Sequence, residues 1–163
     1  MTPLFMGGNL LKVSSEYLVD GGCLSERHEI SERNMLRINP KTIMVPVNNA
    51  YAHGVLIPPG ANVLYISGQI GAGPDGDIPA DPAAQAEIAW SNVMAIVREA
   101  GMDANDIVKL TAYIVDDAAF PPYAAARNRD IGAISKAAAT TVFVPRLLKL
   151  EWKIEIEAIA ARA

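Results

Sequence analysis

An α+β fold, one mixed or antiparallel sheet with two helices on a single face, is predicted by three features of the chain. The closing segment, residues 152 to 160, alternates Ile154, Ile156, Ala158 and Ala160 with Lys153, Glu155 and Glu157, the period of two of a strand with one apolar face. The stripe Ala86, Ala89, Trp90, Val93, Ile96, Val97 and Ala100 recurs at helical spacing between Asp81-Pro82 and Gly101, which supply an N-cap, a first-turn proline and a stop. The remaining apolar segments complete the order β-β-α-β-α-β-β, and strands and helices in that proportion suit one sheet covered on one side.

Each element has a local justification. Residues 45 to 57 hold an edge strand, Pro58-Pro59-Gly60-Ala61-Asn62 turns, and residues 63 to 68 form an apolar and aromatic strand, so a hairpin is expected here. Gly71-Ala72-Gly73-Pro74-Asp75-Gly76 has the chemistry of a tight reversal. Its glycines superficially suggest a phosphate loop, but no basic or hydroxyl residue follows, and Pro74, Pro79 and Pro82 oppose a helix starting there. On the first helix Trp90 and Met94 fall on or beside the apolar stripe and are expected in the core. Residues 108 to 115 alternate as a strand ended by Asp116-Asp117, a second helix runs from Phe120 or Pro121 to Ile134, and residues 140 to 144 form the penultimate strand.

The 163 residues suit one domain, and 51% hydrophobic with 20% charged residues describes a globular chain that buries one core. A net charge of -4 without a dense Lys/Arg run offers little attraction to nucleic acid or anionic membranes. Cys23 is the only cysteine and no His/Cys cluster has metal-ligand spacing, so neither a disulfide nor a metal is expected and the cytoplasm is the default compartment. No apolar run approaches the ~20 residues of a membrane span, and the amino terminus lacks a signal-peptide pattern. Residues 1 to 34, interrupted by Gly7-Gly8, Ser14-Ser15 and Gly21-Gly22, read as an appendage to a domain spanning 35 to 163. A mobile segment, a poorly packed helix, translated sequence before a start at Met35 and an extra element packed on a partner all fit it.

Strands 63 to 67 and 140 to 144 carry apolar groups on both sides, while the helices suffice for one. A second face of this kind is usually buried by closed cyclic assembly, which brings Glu155 and Glu157 to subunit contacts. Residues two apart on a strand lie roughly 6 to 7 Å apart, so covered carboxylates there must find partners or shift their pKa, and a covered carboxylate is a candidate base. The alternative is a wet face whose Lys and Glu protect a sheet edge.

Several stretches resemble one family, the RidA/YjgF reactive-intermediate (enamine/imine) deaminases: NAYAHGV around Tyr51, YISGQIG from Tyr65, DPAAQAEIAWSNVMAIVREAG, DIVKLTAYIVD from Asp106 and the closing KIEIEAIA. The similarity runs in order over about residues 36 to 161. It implies a chorismate-mutase-like subunit, a homotrimer whose sheets form a barrel, active sites in the clefts between subunits, and no cofactor. It also implies hydrolysis of the C=N bond of small 2-imino acids to keto acid and ammonia. By resemblance Glu155 orients and deprotonates the water, Ser67 and Gly68 line the pocket, Tyr51 reaches into it, and the Thr141 backbone helps hold water or substrate. Without the resemblance, Ser67-Gly68 reads as a strand end, Tyr51 as an interface aromatic and Thr141 as an ordinary strand residue.

The chain departs from that pattern where the family's carboxylate-binding arginine begins the penultimate strand, for Ala139 stands there, and Ala124 replaces an asparagine of the second helix. Loss of a bidentate guanidinium is worth several kcal/mol of anchoring. Arg127 is the candidate substitute cation, with Arg129, Arg146 and Lys136 as further candidates, against the alternative of solvated surface side chains. Two functions follow: hydrolysis of an enamine, imine or related electrophile, or a trimeric ligand-binding or regulatory protein that keeps the pocket without turnover. A ribonuclease activity, associated with some relatives, fits the acidic balance poorly.

Overall fold

The computed structural model describes residues 35–131 and 136–163, so the leading segment and the expected end of the second helix at Ile134 lie outside the described residues. In chain order the strands are β1 (Leu36–Ile38), β2 (Gly54–Leu56), β3 (Asn62–Ile70), β4 (Ile107–Ile114), β5 (Ala138–Phe143) and β6 (Ile154–Arg162). Helix α1 (Pro82–Glu99) lies between β3 and β4, and α2 (Phe120–Ile131) between β4 and β5. The main sheet has the order β3-β6-β4-β5, with β6 antiparallel to both neighbours and β5 parallel to β4. The expected mixed sheet with two helices is therefore present.

Local chemistry explains α1. The Asp81 carboxylate accepts from the Ala83 amide at 3.0 Å, Pro82 occupies the first turn, and Gly101 leaves the helix at φ 71°. Ala86, Ala89, Trp90, Val93, Met94 and Val97 are buried as the stripe requires. They pack in one core with Leu110, Ala112 and Ile114 of β4, Ile154, Ile156 and Ala158 of β6, and Tyr123 and Ala126 of α2. Full burial of each large side chain contributes roughly 1.5 to 3 kcal/mol. The Trp90 indole N–H donates to Asp130 at 2.7 Å and fastens α1 to α2.

The amino-terminal strands depart from expectation. β2 pairs antiparallel with β1, a strand too short to show a period, and makes no hairpin with β3. The cause is Ala52, whose amide donates to Ala137 at 2.9 Å and bridges Ala138 at the free edge of β5. A segment docked on the outer edge of β5 lies four strand spacings, about 19 Å, from β3 and cannot pair with both.

Gln85 joins α1 to the start of β6. Its buried side chain donates to the carbonyls of Pro79 at 2.8 Å and Glu151 at 2.9 Å, and accepts from the Lys153 amide at 2.8 Å. Gln85→Leu strands these three groups, so urea unfolding should show a loss of about 2 kcal/mol at unchanged m-value.

The opposite face of the sheet is bare in the single chain. Lys109, Thr111 and Tyr113 alternate with the buried residues of β4, as do Glu155, Glu157 and Ile159 on β6. Beside them Val63 is 42% and Tyr65 77% exposed. No helix among the described residues is long and apolar enough to cross a membrane.

Candidate active site

β3 and β6 lose register between Ile66, opposite Ala158, and Gln69, opposite Ile156, so β3 spends one extra residue at Ser67-Gly68. This bulge bends the strand, and Gln69 Nε2 secures it by donating to the carbonyls of Ser67 at 3.0 Å and Gly68 at 3.3 Å. The Glu155 side chain lies against Gly68, filling the space where any other residue would place its Cβ: Cδ and Cγ come within 2.7 and 2.9 Å of that point, and Oε1 closer still. Gly68 has no left-handed backbone to excuse a glycine. Its hydrogen is there because the carboxylate needs the room.

Glu155 is half-buried and faces Tyr113 across the β6–β4 ladder. Tyr113 Oη approaches Glu157 Oε1 at 3.5 Å, and the Glu157 charge first, then desolvation, then the bond itself and the Glu155 charge hold its hydroxyl above the ordinary tyrosine range. Lys109 donates to Thr140 Oγ1 at 2.8 Å; burial lowers its pKa and Glu157 opposes that shift. Glu157, Lys109, Thr111, Tyr65 and Ile159 border a groove of about 240 Å³ on this face.

The other expected residues gather elsewhere. Tyr51 meets His53 edge-on at 5.7 Å between ring centres, and the His53 ring bonds the Met44 carbonyl at 2.8 Å. Thr141 is opposite Ala112 and so shares the helix-covered face, next to the buried Tyr123 hydroxyl. Burial raises the Tyr123 pKa, while Arg127 and Thr141 beside it act in the opposite sense. Ala139 and Ala124 border a cavity of about 480 Å³ that also takes in Asn48, Asn49, Arg127 and Lys136. Of the candidate cations, Arg129 pairs with Glu87 at 3.7 Å and Asp130 at 3.2 Å on the surface, and Arg146 is exposed. Arg127 alone of the arginines considered faces the space beside Ala139.

The predicted residues thus form two half-sites in one chain. Glu155, Ser67 and Gly68 sit at the β3–β6 side on the bare face, whereas Thr141, Arg127 and the Ala139 cavity sit at the β5 edge under α2. Tyr113, Asn48 and Asn49 were not anticipated. The only sequence signal for them was an Asn-Asn pair in a loop and an aromatic on the same strand face as Glu155.

A family profile described as Endoribonuclease L-PSP matches residues 42–162. The chain belongs to the RidA/YjgF family. It is similar to the 2-iminobutanoate/2-iminopropanoate deaminase of Escherichia coli (strain K12), with 40% identity over 120 residues that cover 69% of this chain and 87% of the relative. Among solved structures, YyfB of Yersinia pestis, of the conserved Rid protein family, superposes with TM-score 0.69 at 30% identity over 78% of this chain and 98% of its own. TdcF of E. coli with bound serine does so with TM-score 0.56 at 34% identity over 82% and 96%. Two of these relatives, the E. coli 2-iminobutanoate/2-iminopropanoate deaminase and TdcF, carry names of reactive-intermediate deaminases.

Within this family frame, Gly68→Ala is the sharpest geometric probe. Its Cβ displaces the Glu155 carboxylate, the flexible end of a side chain, so stability should change by less than about 1 kcal/mol. An ångström of misplacement of a reacting group costs on the order of 100-fold, which a kcat measurement on the folded variant would register.

Proposed function

We propose that this chain is a hydrolytic deaminase of enamines, imines and related small reactive intermediates, releasing ammonia, with Glu155 as the proton-accepting group. The observation that carries the reading is the Glu155 carboxylate seated against Gly68 at the strand bulge, a placement the backbone is built to accommodate. The names of the relatives support the same chemistry.

Hydrolysis proceeds by attack of a water oxygen on the imine carbon as the C=N π pair becomes the nitrogen lone pair. Glu155 takes a proton from that water and returns it to the nitrogen, giving a carbinolamine. Collapse of the carbinolamine forms the C=O bond as the C–N bond breaks, and its hydroxyl proton, relayed by the same carboxylate, leaves with ammonia. The water supplies the carbonyl oxygen, and the carboxylate is regenerated. Ser67 and Gly68 border the reacting centre, Thr141 contributes from the other half-site, and Tyr51 is a further pocket residue.

Two half-sites on opposite faces of one sheet, one at β3–β6 and the other at the β5 edge, call for a head-to-tail contact between copies, and such heterologous contacts form a closed ring when the rotation between copies closes. A cyclic homotrimer would bury Val63 and Tyr65 and bring Glu155 of one subunit toward the Ala139 cavity of the next. Ammonia release from freshly generated 2-iminobutanoate and from imines lacking a carboxylate, with mass by analytical ultracentrifugation, tests this. Acceleration by substoichiometric protein and a mass of three chains are expected. A trimer that accelerates no member of the panel would leave the ligand-binding reading instead.

A further inference from the structure

Arg127 is nine-tenths buried, at 9% exposure, yet its polar neighbours among the described residues are uncharged: the amide of Asn128, which accepts from Nε at 3.3 Å and Nη2 at 3.0 Å, and the Tyr123 hydroxyl beside it. Its guanidinium lies over the Tyr123 ring at 5.8 Å, and no carboxylate is within ion-pair distance among the described residues. A buried guanidinium without an acid is expensive, since desolvation is not repaid by a counter-charge. A structure that holds one at the wall of a 480 Å³ cavity is prepared for an anion from outside.

A second observation concerns the same cavity. Asn48 and Asn49 on its rim both adopt left-handed backbone, at φ 51° and 52°. Consecutive non-glycine residues in that region store strain of the kind found at ligand clamps. Their turn is held by Asn49 N–H to Pro46 at 2.9 Å and Ala50 N–H to Val47 at 3.1 Å. Those amides are therefore occupied, and recognition of charge in the cavity falls to side chains. Lys136 and Asn128 also line the wall, and Leu110, Phe120 and Ile131 give it an apolar stretch.

We propose that the cavity is an anion subsite in which Arg127, projecting from α2, binds the carboxylate of a small acid with an apolar body. Ala139 and Ala124 leave room for that body to be larger than an ethyl group. The proposal rests on the deaminase reading only for the choice of a 2-oxo acid, the hydrolysis product, as probe.

Calorimetric titration of the full chain with phenylpyruvate and with its neutral carboxamide provides the test. Wild type should bind the acid at least tenfold more tightly than the amide, with affinity falling as salt rises. Arg127→Met should weaken the acid tenfold to a hundredfold while leaving the amide unchanged, and Arg127→Lys should keep part of the discrimination. A merely structural arginine would affect both probes alike. The wild-type comparison needs no variant, so poor folding of Arg127→Met does not protect the proposal. Equal binding of acid and amide, binding of neither, or discrimination lost in Lys136→Met and kept in Arg127→Met would overturn it. Because no turnover is measured, discrimination without imine hydrolysis would sink the deaminase reading and leave this one standing.

Discussion

Glu155→Gln is expected to lower imine hydrolysis about a thousandfold, within the 10²- to 10⁴-fold range that a positioned acid–base group supplies. Glutamine keeps the shape of the side chain and an oxygen that can accept a hydrogen bond from water, but it cannot take the proton. Orientation would survive and proton transfer would not, a difference of about 4 kcal/mol in the barrier. Glu155 makes no ion pair among the described residues and is only half-buried, so thermal stability and oligomeric mass should match wild type. Gly68→Ala acts through the same carboxylate, so the double variant should be no slower than Glu155→Gln alone. Additive losses would mean that Gly68 matters for another reason. An unimpaired Glu155→Gln would remove the carboxylate from the chemistry altogether.

What the sequence disclosed about this arrangement depended on how local the cause was. Asp81, Pro82 and Gly101 act on their own helix, and the alternation of β6 is written in consecutive residues, so both elements were legible with their boundaries within a residue or two. The β1–β2 ribbon was not. Three-residue strands carry no period, and their position is decided by Ala52 meeting Ala137 and Ala138, far along the chain. The site divides in the same way. Alternation put Glu155 opposite the helix-covered face, but its seat on Gly68 arises from a register shift between two strands that neither strand announces. For α2, the sequence offered Arg127 and Arg129 with little to choose between them. Two positions apart on a helix, they point to opposite sides, and Trp90 bonding to Asp130 fixes which side faces α1.

Gly71→Ala should destabilise the fold by at least about 3 kcal/mol, lowering the melting temperature by roughly 6 to 12 °C for a chain of this length. Gly71 follows β3 beneath the first turns of α1, and a Cβ there would collide with the Cα, Cβ and carbonyl oxygen of Gln85. Unlike the Glu155 carboxylate over Gly68, these atoms are helix backbone and the Cβ fixed to it, and they cannot swing aside. Nor can the turn retreat, because Asn92 Nδ2 donates to the carbonyls on either side of Gly71, Ile70 at 3.2 Å and Ala72 at 2.9 Å. Relief requires α1 to lift, which pulls Gln85 from Pro79, Glu151 and Lys153 and loosens the start of β6. Two glycines three residues apart therefore predict opposite phenotypes: alanine at 68 should give a stable, slow protein, and alanine at 71 an unstable one. Thermal melts with kcat on the folded fraction would separate them, and a Gly71→Ala melt equal to wild type would show that α1 does not press on the turn.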